Sequence, residues 1–194
     1  MAVGGYDAFD DPYSYKGTGV LKNRLGLRDA DLLESFELEM TTLRANEPLP
    51  TGAFDPRHYR RVHRFLFQDV YSWAGVYRTV RTSKGGNPFC FPEHIGSEMG
   101  KLFASLTSGP TFGAENSVQF VALAAHFLAE LNAIHPFREG NGRAQLSFIH
   151  LLGQAAGYPL AFKRVERETF LPAMIASYDG DLGPLTGELA KLSN

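Results

Sequence analysis

Two apolar stretches, 118–134 and 144–156, flank a short run dense in reactive side chains, and this pairing narrows what the chain can fold into. The segment 117–134 is apolar nearly all round, a pattern a helix carries when it is buried on every side. Other helices must then wrap it. The expected class is mainly α, a single-domain helical bundle over 1–194, organised on the unit 117–157 of central helix, loop and second helix.

The loop holds His135, Arg138, Glu139, Gly140, Asn141, Gly142 and Arg143. Gly140 and Gly142 can take backbone angles closed to other residues, so that successive N–H groups turn inward on one anion. Asn141 suits the N-cap of the next helix, whose first-turn N–H groups and positive dipole end face the same point. Arg143 adds a charge-assisted fork in the first turn, and Arg138 a further cation. Such a nest favours a polyphosphate. Glu139 offers one hard oxygen ligand, which suits Mg²⁺ held mainly by nucleotide phosphates and water. His135 follows the incoming helix and has a near-neutral reference pKa. It can take the proton of an attacking hydroxyl while metal and nest hold the phosphates in line.

The run His135-Pro136-Phe137-Arg138-Glu139-Gly140-Asn141-Gly142-Arg143 resembles the motif of the Fic (Fic/Doc) family. The resemblance implies a Fic-like helical bundle with a small β-hairpin flap. It implies His135 as base, Phe137 in the core, Glu139 on Mg²⁺, and Gly140 to Arg143 on the nucleotide phosphates. The implied activity is that of a protein adenylyltransferase, moving AMP from ATP to a Tyr, Thr or Ser hydroxyl of a target protein. The family's second arginine would fall at position 146, where this chain has Leu146. Losing one charge-assisted contact there costs roughly 1.5 to 3 kcal/mol, about ten- to a hundredfold in affinity. Two alternatives therefore stay open, a transferase of phosphoryl or another phosphate-linked group and a non-catalytic nucleotide- or peptide-binding module. Two settings also fit the resemblance: a resident toxin restrained by a small antitoxin-like inhibitor protein, or an effector delivered into another cell.

Elsewhere the chain is ordinary. At 194 residues with 44% hydrophobic content it can bury one sizeable core, and a net charge of −2 supplies no field that calls for nucleic acid or a membrane. Cys90 is the only cysteine, which excludes an intrachain disulfide, and no apolar run reads as a membrane span. A cytoplasmic protein is expected. Residues 1–28 read as an irregular arm, whose Asp11-Pro12-Tyr13 and Gly17 to Asn23 wording again resembles the family.

Asp29 should cap a helix to about Asn46 with Leu32, Leu33, Phe36, Met40 and Leu43 on its core stripe. Asp55 and Pro56 should open a second, running to about Ser72, with Arg57, Arg60, Arg61 and Arg64 on a solvated face. His58 and His63 lack a third ligand for zinc. Residues 76–91 read as short extended segments around a turn, and the resemblance assigns them to a target-positioning flap centred on Thr82, Ser83, Lys84 and Gly85. The flap's exposed edge could hold an extended target segment. The stretch from Thr111 to Asn116 fits the family's inhibitory pattern, but its arginine partner is missing at Leu146, so self-inhibition is not expected. His126 is expected to be a satisfied core histidine, and His150 is a candidate to face the nucleotide. Helices over 166–178 and 182–192 should close the bundle.

Overall fold

A computed structural model describes residues 11–108 and 113–193. Seven helices are present among them: α1 (Ala30–Ala45), α2 (Pro56–Phe67), α3 (Pro92–Ser108), α4 (Ser117–Ile134), α5 (Asn141–Ala156), α6 (Arg167–Tyr178) and α7 (Gly183–Leu192). A hairpin of β1 (Ser83–Lys84) and β2 (Asn87–Pro88) lies between α2 and α3. α4 is central and packs on α3, α5, α6 and α7, while α1 and α2 cover the side on which α5 begins.

Local chemistry accounts for most boundaries. Asp29 caps α1 by accepting from the N–H groups of Asp31 and Leu32, Asp55 caps α2 through His58 N–H with Pro56 at the first position, and Asn116 caps α4 through Gln119 N–H. α2 stops at Phe67, short of the expected Ser72, because the chain turns there to bring Tyr71, Trp73 and Gly75 back over its own inner face. Arg57, Arg60, Arg61 and Arg64 are all exposed, as the solvated-face reading requires.

Three expectations about helix faces need correction. Of the α1 stripe, Leu33 is buried and Phe36 and Met40 half-buried, but Leu32 and Leu43 are more than half exposed. The face that turns inward carries Glu37 and Thr41, whose polar groups are satisfied by Tyr71 and Arg143. α4 is not buried all round: Gln119, Ala122, His126 and Glu130 form a solvent-facing strip at helical spacing, so His126 is exposed rather than a core residue. α4, at 18 residues, does reach the length and apolarity of a membrane-crossing helix, contrary to the reading of the sequence; here Phe120, Val121, Ala124, Phe127, Leu128 and Leu131 spend that apolarity on the bundle core. The stretch that fits the inhibitory pattern, rejected as such from the sequence, begins at Thr111 and Phe112, which lie outside the described residues.

The flap is smaller than the sequence suggests. Ser83 pairs with Pro88 and Lys84 with Asn87, and Gly85 and Gly86 make the turn at φ 59° and 86°, the left-handed pair that a tight hairpin needs. Neither 77–81 nor 89–91 forms a strand. These flanks are held instead by Arg78, Phe89 and Cys90 against the end of α4.

Candidate active site

The loop between α4 and α5 turns by two left-handed residues. His135 ends α4 at φ 48°, ψ 61°, with its N–H donated to Leu131 O, and Gly140 caps α5 at φ 80°. Gly140 is therefore the N-cap, and Asn141, expected in that role, is the first residue of α5. Asn141 does different work. Fully buried, it accepts from Phe137 N–H at 2.9 Å and donates to Phe137 O at 2.8 Å, closing the loop as a second strand would. Its side chain is not available to a phosphate; its backbone N–H remains in the first turn of α5. Phe137 is buried against His63 and Tyr59, the core role the motif implied.

Only one of the two loop glycines needs its backbone freedom. A Cβ on Gly140 would lie 2.2 Å from Phe67 Cζ, so this position excludes a side chain twice over. Gly142 has helical angles and nothing within 4 Å of a would-be Cβ. It borders the cleft, and its contribution is room beside the first-turn N–H groups.

His135 is 5% exposed. Its Nδ1 lies 3.2 Å from Asn132 O, and since a carbonyl can only accept, Nδ1 carries the proton and the neutral ring keeps its lone pair on Nε2. Phe89 stacks on the ring at 3.8 Å and 11°. Burial, and secondarily the charges of Arg78 and Lys84, pushes the imidazole pKa down to about 3 against the opposing pull of the Asn132 carbonyl. The near-neutral value expected from the sequence is thus replaced by a ring that is neutral throughout the physiological range.

Glu139 is half-buried, with Oε1 accepting its neighbour Gly140 N–H at 2.8 Å and lying 3.9 Å from Arg143. Arg143 is held on the other side by Glu37 and by Thr41 Oγ1 at 3.0 Å, and its guanidinium lies 4.7 Å over the Phe67 ring. Two carboxylates thus share one arginine. Burial and the nearby Glu37 charge push Glu139 above the usual carboxylate range, so the site carries unbalanced negative charge that a hard cation would relieve. The donor set fits a Mg²⁺ held by one protein carboxylate, with remaining positions left to water and phosphate. Among the described residues no group of three or more His, Cys, Asp or Glu side chains could hold a metal by itself.

These residues border one broad cleft of about 2150 Å³, walled also by the arm, the inner face of α1, the flap and α6. Arg138 reaches its edge, where its guanidinium pairs with Asp11 at 2.8 Å and ties the arm to the loop. Of the flap residues expected at the site, Lys84 and Gly85 border the cleft; Thr82 is buried and Ser83 half-buried, both off its wall. Asn87 and Phe89 stand in their place. His150 is not on the wall, since its ring turns to Gln154 and Phe162. Leu146 is on it, half-buried.

Three contributors escaped the sequence reading. Glu37 looked like one of many acidic helix residues. Gln145, 2% exposed beside Leu146, borders the cleft with Nε2 unpartnered. His63 lies under the loop, stacked on Phe137 at 3.7 Å. Its Nδ1 accepts from Gly75 N–H at 2.9 Å, so Nε2 carries the proton and donates to Glu139 O at 2.9 Å. Burial pushes it too to about 3. The sequence signal was only a helical spacing that put His63 on the same face as Tyr59 and Phe67.

Both rings are neutral when folded and titrate near 6.5 when unfolded. Below pH 6.5 the unfolded chain therefore binds protons that the folded one refuses, and stability, complete above that pH, is lost as pH falls toward 3. From the two rings the unfolding free energy in urea titrations is expected to drop by about 2 to 3 kcal/mol per unit between pH 6 and 5, close to two protons, with the raised Glu139 carboxyl opposing part of it by taking up a proton in the fold. An unfolding free energy that does not fall between pH 6 and 5 would mean that neither ring is held neutral.

Comparisons with known proteins place the sequence and the fold. The sequence model of the Fic/DOC family matches residues 53–152, just over half of the chain. A curated relative from Sinorhizobium fredii (strain NBRC 101917 / NGR234), named as the probable protein adenylyltransferase y4lH, is 49% identical over 96% of this chain and 98% of its own length. Among solved structures, the VirB-translocated effector BepC from Bartonella tribocorum, with bound AMPPNP, superposes with a TM-score of 0.84 at 28% identity, covering 94% of this chain and 96% of that one. The N-terminal Fic domain of a Bartonella quintana cell filamentation protein, with bound ADP, gives 0.85 at 30% identity and 94% coverage of both chains. With the loop, the bundle and the extent of these matches in agreement, the chain belongs to the Fic/DOC family.

Proposed function

We propose that this chain is a protein adenylyltransferase that moves AMP from ATP to a Tyr, Thr or Ser hydroxyl of a target protein. His135 Nε2 takes the hydroxyl proton as the oxygen attacks the α-phosphorus; the bond to the bridging oxygen breaks, and pyrophosphate leaves. The observation that carries this reading is the fixed tautomer of His135, a neutral ring with its basic nitrogen on Nε2 at the wall of a cleft that also holds the N-terminus of α5. Gly140, Gly142, Asn141 N–H and Arg143 are the proposed phosphate-binding groups, with Arg138 at the rim. Glu139 is the proposed ligand for Mg²⁺, which when bound would neutralise phosphate charge. Lys84 and Gly85, with Thr82 and Ser83 behind them, are the proposed edge on which the target chain lies. The relatives' names and the two nucleotide-bound neighbours support the reaction class and the donor.

Purified protein with Mg²⁺ and lysate, given ATP labelled at the α- or the γ-phosphate, tests the reaction. Protein-bound α-label that requires His135 is the expected result. Label from the γ-position alone would replace the reading with phosphoryl transfer, the alternative that Leu146 favours because an apolar side chain stands in the cleft wall where a cation would grip a third phosphate. For the same reason Leu146→Arg is expected to tighten Mg-ATP binding by about ten- to a hundredfold in calorimetry. An unchanged affinity would show that position 146 does not meet the γ-phosphate.

The setting is proposed by the same route. The Bartonella tribocorum neighbour is a translocated effector, which supports delivery of this chain into another cell. A cytoplasmic toxin held by an inhibitor protein in trans is the alternative setting. A secretion-reporter fusion separates the two.

A further inference from the structure

Arg78 is 2% exposed, and its hydrogen-bond partners are all backbone carbonyls. Nε donates to His135 O at 2.8 Å, one terminal nitrogen to Val80 O at 2.7 Å, and the other to Cys90 O at 2.6 Å and Ile134 O at 3.2 Å. Its own N–H donates to Pro136 O at 2.9 Å. Those acceptors come from three places: the C-terminal end of α4, the chain entering the flap, and the chain leaving it. The last carbonyls of a helix have no partner within the helix and sit at its negative dipole end, so a buried cation is compensated there without a carboxylate. Burial pushes the guanidinium down only to about 10, and it stays charged at neutral pH.

The consequences are geometric. His135 occupies the left-handed region, where a non-glycine residue needs support, and its carbonyl is gripped by Arg78. The same planar group holds both roots of the hairpin, assisted by Cys90 N–H on Ala133 O at 3.1 Å. The ring of the proposed base and the edge proposed to hold the target are thus both referred to one rigid fork. We infer that Arg78 is a positioning residue that sets the register between the flap-held target hydroxyl and His135 Nε2. The inference rests on the function proposed above. Lysine cannot stand in, because a single ammonium on a flexible stem cannot divide itself among carbonyls of separate segments.

The test is Arg78→Lys in the full chain, beside wild type and His135→Ala. Misplacing the hydroxyl by about 1 Å is expected to lower kcat for protein labelling by roughly ten- to a hundredfold, with Mg-ATP affinity within about twofold of wild type. The His135 imidazole ¹⁵N resonances, which in wild type should report a protonated Nδ1, should shift toward a mixture of tautomers. Wild-type kcat in the variant, or a loss shared equally by ATP affinity, would overturn the inference. If Arg78→Lys does not fold, amide hydrogen exchange of the wild-type protein decides: the N–H groups of Arg78, Cys90 and His135 should exchange with one common protection. Exchange at Cys90 faster by orders of magnitude would separate the flap from the loop and overturn the inference. Should wild type itself label no protein, the reaction reading fails, while the imidazole and exchange measurements still judge the coupling.

Discussion

His135→Ala is expected to abolish protein labelling, by about 10²- to 10⁴-fold, while leaving Mg-ATP affinity near that of wild type. The split follows from the loop's construction. The groups proposed to hold the phosphates are the N–H groups at the start of α5 and Arg143 on its α1 and α2 anchors, and the Glu139 carboxylate is proposed for the metal; none is held by the imidazole. Nδ1 of the ring donates to Asn132 O on its own helix, and the face of the ring is covered by Phe89. Removing it deletes a proton acceptor and leaves a gap beneath Phe89, with the phosphate end of the cleft unchanged. Rates in single turnover and affinities in calorimetry check the two halves separately. Turnover within tenfold of wild type would remove His135 as the base, and a large loss of ATP affinity would make it a binding residue.

Gly140→Ala is expected to be strongly destabilising for a single added methyl. At φ 80° an alanine bears a cost of roughly 1 to 2 kcal/mol before any contact is considered. The new Cβ would also meet Phe67 Cζ at 2.2 Å and Cε2 at 2.4 Å, atoms of a buried ring stacked on His63. Phe67 cannot yield freely, because it also supports the Arg143 guanidinium, so overpacking adds about 1 to 3 kcal/mol. A total of about 2 to 5 kcal/mol is a large part of the 5 to 15 kcal/mol that holds an ordinary domain together. Thermal unfolding should show a Tm lower by several degrees or more, and the surviving folded fraction should bind Mg-ATP poorly because the loop must move. A variant with wild-type Tm would mean that Gly140 is not in the left-handed conformation that caps α5.

The reactive loop, the helices and the caps at Asp29 and Asp55 were legible because they depend on near neighbours. Asp29 and Asp55 cap helices through groups two or three residues on, and the motif's order places a histidine, a carboxylate and glycines in one short loop. The faces were harder. Glu37 and Thr41 turn inward because Tyr71 and Arg143, far along the chain, satisfy them, and Leu32 and Leu43 are then left outside. His126 lies outward because no helix covers that strip of α4, a fact of packing that apolar content along a segment cannot express.

Within the site the division is the same. The order of residues from His135 to Arg143 by itself determined the chemical types brought together, their family, and the need for a buried helix on each side. Tertiary structure decided the electrical state and aim of those groups. It buried His135 and moved its pKa far from neutrality, gave Arg143 to Glu37, turned Asn141 from a cap into a clasp on Phe137, and placed His63 and Arg78 as supports. The physical reason is that burial, ion pairing and carbonyl contacts act over a few ångströms of space between segments tens of residues apart. Sequence spacing specifies such distances only within a single turn or helix.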